Sequence, residues 1–154
     1  MEHLSVTDVE SQPSAAAERR AIGPAIGLEG AALNYYELAP GDSFAFGYHA
    51  HETQEELFYV IEGEVVFETE AEEVTVGAGE AVRFAPGEYQ RGVNEGDQRV
   101  VALALGAPLE SGETEVLREC EDCGERTVQR FERDEDGGLV TVCVDCGAET
   151  GRFQ

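Results

Sequence analysis

The four cysteines fall in two Cys-x-x-Cys pairs, and this constrains the C-terminal part of the chain more than any other feature. Cys120 and Cys123 lie in CEDCGE, Cys143 and Cys146 lie in CVDCGA, and nineteen residues separate the pairs. That is the spacing of a four-cysteine zinc site. Gly124 and Gly147 follow the second cysteine of each pair. A residue without Cβ there permits the tight turn that aims thiolates and backbone N–H groups at an ion. Between the pairs, TVQRFER and LVTVC read as two strands joined by DEDGG. The expectation is a zinc ribbon holding one structural Zn2+, because some forty residues bury too little surface to fold without such a clip. Two disulfides are the alternative. They need an oxidising compartment, and the acidic start MEHLSVTDVE carries no apolar leader. No run is long enough to span a bilayer, so a cytoplasmic location is expected.

The second constraint is histidine spacing. His3 is isolated near the terminus, whereas His49 and His51 sit one residue apart in YHAHETQEELFYVIEG. Side chains two apart on a strand face one side. A second strand beginning near Glu56 brings a carboxylate to the same point, and LFYVIEGEVVFET reads as the arm of a hairpin. Two imidazoles and a carboxylate with open positions suit a divalent metal; polar residues on a solvated strand are the alternative. Glu55 is set aside because a one-residue slip turns a side chain to the other face. Extending the alternation upstream puts Ala45 and Gly47 on the metal side, leaving room for a ligand. It also turns Phe44, Phe46 and Tyr48 outward, where an N-terminal strand or a second subunit would cover them. Phe58 and Val60 share the parity of Glu56 and belong either to the pocket wall or to the core.

His49, His51, Glu56 and Gly63 have the spacing of the first cupin motif, which the stretch resembles, with Ser43 in place of its opening glycine. GEAVRFAPGEYQRGVN resembles the second cupin motif, with Gly79, Gly87 and Asn94 in register. Ala85 replaces the motif proline, Pro86 falling one position late, and Gln90 stands where the family has its last metal-binding histidine. The resemblance covers roughly residues 30 to 107. It implies an all-β jelly-roll barrel, a homodimer, and one divalent metal (iron, manganese, nickel or zinc) held by His49, His51, Glu56 and Gln90. Amide oxygen is a weaker, harder ligand than imidazole. Gln90 therefore has three roles open to it: ligand through oxygen, hydrogen-bond partner of a metal-bound water, or mark of an empty site.

Charge completes the picture. The chain carries 33 acidic residues against 10 arginines and no lysine, a net charge of -23. The acids are dispersed among aromatic and β-branched residues rather than gathered in a tail, unlike a disordered acidic segment. Such a chain self-repels at low salt, which points to a halophilic, archaeal cytoplasm. In the ribbon, Arg118, Arg126, Arg130, Arg133 and Arg152 are outnumbered by acids. A phosphate-binding surface wants the opposite sign, so nucleic acid is disfavoured there and a structural or protein-docking role is favoured.

The chain divides into an N-terminal strand and linker (1–28, with a strand-like LSVTDVES), the barrel (29–109), a linker (110–117) and the ribbon (118–154). Two function classes remain. In the family resembled, the metal serves dioxygenases, isomerases and decarboxylases. Near the histidines only Glu52, Glu55, Tyr48 and Tyr89 are available for proton transfer, which favours oxygenase-type chemistry over reactions needing a poised base. The other class is a non-catalytic small-molecule binder or sensor that docks a protein partner through the ribbon. Phe58, Val60 and Gly47 are the candidate ligand contacts.

Overall fold

The computed structural model describes residues 1–153. Short stretches rich in β-branched and aromatic residues, broken by Gly and Pro turns, form thirteen strands: β1 (Glu18–Ala21), β2 (Ala32–Leu38), β3 (Tyr48–His51), β4 (Glu55–Glu62), β5 (Glu64–Thr69), β6 (Glu73–Gly77), β7 (Ala81–Phe84), β8 (Gln90–Val93), β9 (Val100–Ala107), β10 (Thr114–Cys120), β11 (Glu125–Arg133), β12 (Leu139–Cys143) and β13 (Glu149–Phe153). A single helical turn, α1 (Ile22–Ala25), follows β1. The strands form two sheets, ordered β1-β2-β9-β4-β7 and β13-β12-β11-β10-β3-β8-β5-β6. This is the expected all-β jelly roll, and the four cysteines cluster on the hairpins at its C-terminal end. Among the described residues, no helix is long and apolar enough to cross a membrane.

Between the sheets lies a core of Leu38, Phe44, Phe58, Val60, Val65, Phe67, Phe84 and Val100. Phe44 and Phe58 stand 4.6 Å apart and Phe58 and Phe67 5.1 Å apart, ring centre to ring centre. Each such ring contributes roughly 1.5–3 kcal/mol by leaving water. The tight connection between β4 and β5 depends on Gly63, whose φ of 81° favours glycine, and a Cβ there would lie 2.8 Å from the Arg99 carbonyl oxygen. Asn94 is buried and fully bonded. Its amide donates to the carbonyls of Leu38 (3.0 Å) and Gln98 (2.8 Å) and accepts the Gly96 N–H (3.1 Å). It thus ties the end of β2 to the turn before β9.

Strand β9 makes the cavity. Ala102, Ala104 and Gly106 alternate with Leu103 and Leu105 along it. The small residues face inward, opposite Val60, Phe58 and Glu56 of β4 and Tyr36, Asn34 and Ala32 of β2. Ala104 and Gly106 line the cavity, and large side chains there would fill the space it occupies, while Ala102 packs in the core. The leucines face outward, cross-strand from Leu57 and Tyr59 of β4 and Leu33 and Tyr35 of β2. Leu57, Tyr59 and Ile61 are exposed, so the outer face of the five-stranded sheet is apolar.

Three expectations change. The second half of the stretch read as a linker is strand: β10 pairs with β3 on one side and β11 on the other, Val116 opposite His49 and Leu117 opposite Val128. Its charged residues mask a Val116-Leu117 pair that continues the barrel sheet directly into the cysteine hairpins. The N-terminal start is a 3-10 turn at Val6–Asp8 rather than a strand, and the first strand, β1, joins the sheet by pairing with β2. Finally, residues 44–47 are bends, so strict alternation fails there. Phe44 turns inward to the core. Phe46 packs 4.7 Å from Phe153 and 5.7 Å from Phe131, so the cysteine module packs against it. Tyr48 does face away, stacked at 5.3 Å on Tyr89.

Candidate functional site

His49 and His51 lie on β3, Glu56 on β4 and Gln90 on β8, so three strands from both sheets supply the four side chains. Within β3 the alternation holds, and His49 pairs in register with Gln90. The Nε2 atoms of His49 and His51 lie 3.5 and 3.4 Å from one oxygen of Glu56. Ligand atoms held about 2.1 Å from a single ion stand roughly 3.0–3.4 Å apart in octahedral or tetrahedral arrangements, so the trio fits one small divalent cation. Both rings are oriented from behind. His49 Nδ1–H donates to the Gly47 carbonyl at 3.1 Å. His51 Nδ1 lies 2.9 Å from Thr114 Oγ1, whose own hydroxyl donates to Ser111, leaving the oxygen to accept. Each bond puts the proton on Nδ1 and turns the Nε2 lone pair to the centre. Burial disfavours charge on Glu56, but without an ion, hydrogen bonds and charge interactions from the two histidines, which require protonated Nε2 atoms, outweigh this and lower its pKa to about 2. The carboxylate is ionised across neutral pH. Glu55 points away to an ion pair with Arg83.

Gln90 is buried, with its amide nitrogen 2.9 Å from Glu56 Oε2 and 3.2 Å from His49 Nε2. Its Oε1 is buried without a partner. Two acceptors draw the amide N–H group inward. A cation between them would favour the opposite rotation of the same amide, oxygen inward. That rotation would bring the unpartnered oxygen to where the amide nitrogen now stands, beside Glu56 Oε2 and His49 Nε2, a ligand position for a hard ion.

The trio borders a cavity of about 440 Å³, within the usual range for small-molecule sites. Its wall includes Arg19, Asn34 and Tyr36 from the N-terminal strands, Ala45, Phe46, Gln54, Ala104 and Gly106 from the barrel, and Thr114, Val116, Phe131 and Leu139 from the C-terminal strands. The predicted ligand contacts need correction. Phe58 and Val60 are core residues, and Gly47 packs under β10, where a Cβ would lie 2.5 Å from the Leu117 carbonyl oxygen. Glu52, Glu55, Tyr48 and Tyr89 also lie outside this cavity. Sequence reasoning missed Arg19, Tyr36 and Thr114. The visible signals were the arginine pair in AERRA and the alternation in NYYEL, but the facing of both depends on long-range strand pairing.

The second cluster joins Cys120, at the end of β10, to Cys123, Cys143 and Cys146. All four thiol sulfurs lie within 4.8 Å of one another, Cys120–Cys146 at 3.5 Å and Cys123–Cys143 at 3.9 Å. The edge of a tetrahedron with 2.3 Å zinc–sulfur bonds is about 3.8 Å, and the cysteines are free thiols. The Thr127 hydroxyl donates to Cys143 Sγ at 3.1 Å. With the backbone N–H groups of Cys146 and Asp145, it lowers the Cys143 pKa to about 6, while hydrogen bonding to Cys146 and Cys120 pushes Cys123 up.

Residues 34–106 match the cupin domain family. No curated protein matches the chain. Solved structures do. A sugar phosphate isomerase from a cupin superfamily of Silicibacter pomeroyi shares 22% identity over 97% of each chain, with a TM-score of 0.69. The polyketide cyclase of Streptomyces resistomycificus shares 25% over 79% of this chain and 89% of its own, with a TM-score of 0.62. A predicted oxalate decarboxylase of Thermotoga maritima shares 23% over 70% of this chain and 99% of its own, with a TM-score of 0.60. At these identities the likeness is one of fold.

Proposed function

We propose, from residues 34–106 as a cupin domain, that the protein is a metal-dependent enzyme of the oxygenase type acting on a small molecule. His49, His51 and Glu56 hold one iron(II), manganese, nickel or zinc ion, and Gln90 turns its amide oxygen toward it. The observation that carries this reading is the convergence of two Nε2 atoms and a carboxylate at the border of a 440 Å³ cavity. When bound, the ion supplies a Lewis-acid centre with positions open to ligand oxygens. The chain's own residues orient the imidazoles through Gly47 and Thr114 and enclose the ligand. No lysine, cysteine or further histidine lines the cavity, so the chemistry rests on the metal. Oxygen uptake by the iron-loaded protein, screened against small hydroxy and keto acids, tests this. Saturable uptake that disappears in His49→Ala supports it, and binding without uptake selects a sensor. The sensor reading has its own support, since β10 runs from the metal-site sheet straight into the cysteine module.

Gln90→His should raise affinity for the barrel metal by about tenfold or more, because imidazole is the stronger ligand for such ions. A fall in affinity, measured by chelator competition, would contradict the position given to Gln90.

The four cysteines hold a structural zinc in a ribbon whose Phe131 and Leu139 wall the cavity. The partner is a second copy of the chain, seated on the apolar face around Leu57 and Tyr59. Two copies of a chain at -23 repel, and here the rim acids are offset within the chain by the pairs Glu18–Arg20, Glu55–Arg83 and Glu37–Arg99–Glu62. The dispersed acids and absence of lysine fit a high-salt, archaeal cytoplasm. As the Debye length shrinks from about 10 Å at 0.1 M to about 3 Å at 1 M salt, the melting temperature should rise. A salt-independent melting temperature would overturn the halophile reading.

A further inference from the structure

Arg19 pairs with Tyr36, which lies four residues along β2 from Ala32, and the row of Ala32 holds Glu56, so the cavity wall carries a second charged group apart from the metal-site row. Among the described residues, Arg19 and Glu56 are the only formally charged ones in its wall. In a chain where acids outnumber arginines 33 to 10, this wall holds one of each. With a divalent ion bound, Glu56 and the ion together are net positive, and Arg19 adds a second positive charge. Arg19 is also unspent. Arg20, Arg83, Arg99, Arg126, Arg130 and Arg152 pair with carboxylates of the chain; among the described residues none pairs with Arg19, Arg91, Arg118 or Arg133, and of these four Arg19 alone lines the cavity.

Its backbone is held firmly. The Arg19 N–H donates to Ser11 Oγ at 3.3 Å, and its carbonyl accepts the Gln12 N–H at 2.8 Å. In register it stands beside Tyr36, which stands beside Ala102; Arg19 and Tyr36 both line the cavity, while Ala102 belongs to the core beneath. Burial raises the Tyr36 pKa most, and Arg19 opposes that rise. A guanidinium presents a fixed fork of N–H donors that matches a carboxylate or phosphate.

We propose that Arg19 and the Tyr36 hydroxyl form an oxyanion-binding part of this cavity. The ligand is then a small molecule with one carboxylate or phosphate group, bound by Arg19, and an oxygen that reaches the His49–His51–Glu56 trio. This deepens the metal-site reading and rests on it for the second contact only. About 440 Å³, at roughly 30 Å³ per water, suits a compact metabolite rather than a polymer end.

The test is calorimetric titration of inorganic phosphate and, separately, acetate into the metal-loaded protein at fixed ionic strength, and the anion bound more tightly names the ligand's charged group. Arg19→Gln should weaken that anion by about tenfold or more, the scale of a lost charged hydrogen bond, with barrel metal content unchanged. Arg19→Lys, which keeps the charge and the strand, should lose less. Tyr36→Phe, which leaves the charge in place, should weaken the anion about threefold and serves if Arg19→Gln does not fold. Equal affinity in wild type and Arg19→Gln, equal losses in Arg19→Gln and Arg19→Lys, or no saturable binding of either anion by metal-loaded protein would overturn the proposal. Anion binding that depends on Arg19 in a wild-type protein without barrel metal would sustain it while removing the metal-site reading.

Discussion

Cys143→Ser is expected to yield a protein that has lost the cysteine-bound metal and the order of β11 to β13. Cys143 is fully buried, receives the Thr127 hydroxyl, and its pKa is already lowered to about 6. It is thus the thiol of the cluster best prepared to bind as a thiolate. Serine keeps the volume but not the ligand. Structural zinc in small modules is worth about 10–16 kcal/mol at neutral pH, more than hairpins of this size recover from burial. Phe131 and Leu139 leave with the hairpins and Phe46 is uncovered, so the cavity loses a wall although none of its metal ligands is touched. Hydrogen exchange should show amides from β11 onward unprotected while β2, β4 and β9 stay protected, with the barrel metal retained. A zinc-loaded, protected C-terminal segment in Cys143→Ser would refute the ligand assignment.

The second large effect is expected at His49. His49→Ala removes a ligand from three and leaves Gln90 and Glu56 facing a gap. Partners behind the ligands are commonly worth 10–100-fold in metal affinity, so removal of a ligand should cost more than about 100-fold. Glu56→Gln should do the same, because the trio then lacks its only anion. Glu55→Gln should leave metal content unchanged, since Glu55 is engaged with Arg83 on the outer side. Elemental analysis after dialysis reads all three variants. Equal loss in Glu55→Gln and Glu56→Gln would break the face assignment.

The contrast between those glutamates shows what the sequence made legible. Alternation is a local property of a strand, so within β3 and β4 it sorted His49, His51 and Glu56 to one side and Glu55 to the other. It failed one step upstream, at Phe44 to Gly47, because the chain there bends and the period no longer applies. The cysteine pairs were readable because a shared ligand demands their spacing. Strand β10 was not: Glu115, Arg118 and Glu119 disguise a strand whose reason for forming is the open edge of β3, far away in sequence. Arg19 and Tyr36 were hidden for the same reason. Their meeting with the metal site depends on β1 joining β2 and β2 joining β9, a chain of pairings that no local pattern encodes. The small–large alternation of β9 was visible as letters, but only the register shows that its small side lies toward the cavity.

The most direct test of the account is metal stoichiometry, measured by elemental analysis on untagged protein in high salt. Two ions per chain are predicted in the wild type, one in His49→Ala, one in Cys143→Ser and none in the double variant. A single ion per chain in the wild type, undiminished by His49→Ala, would contradict the central claim that the barrel carries a metal.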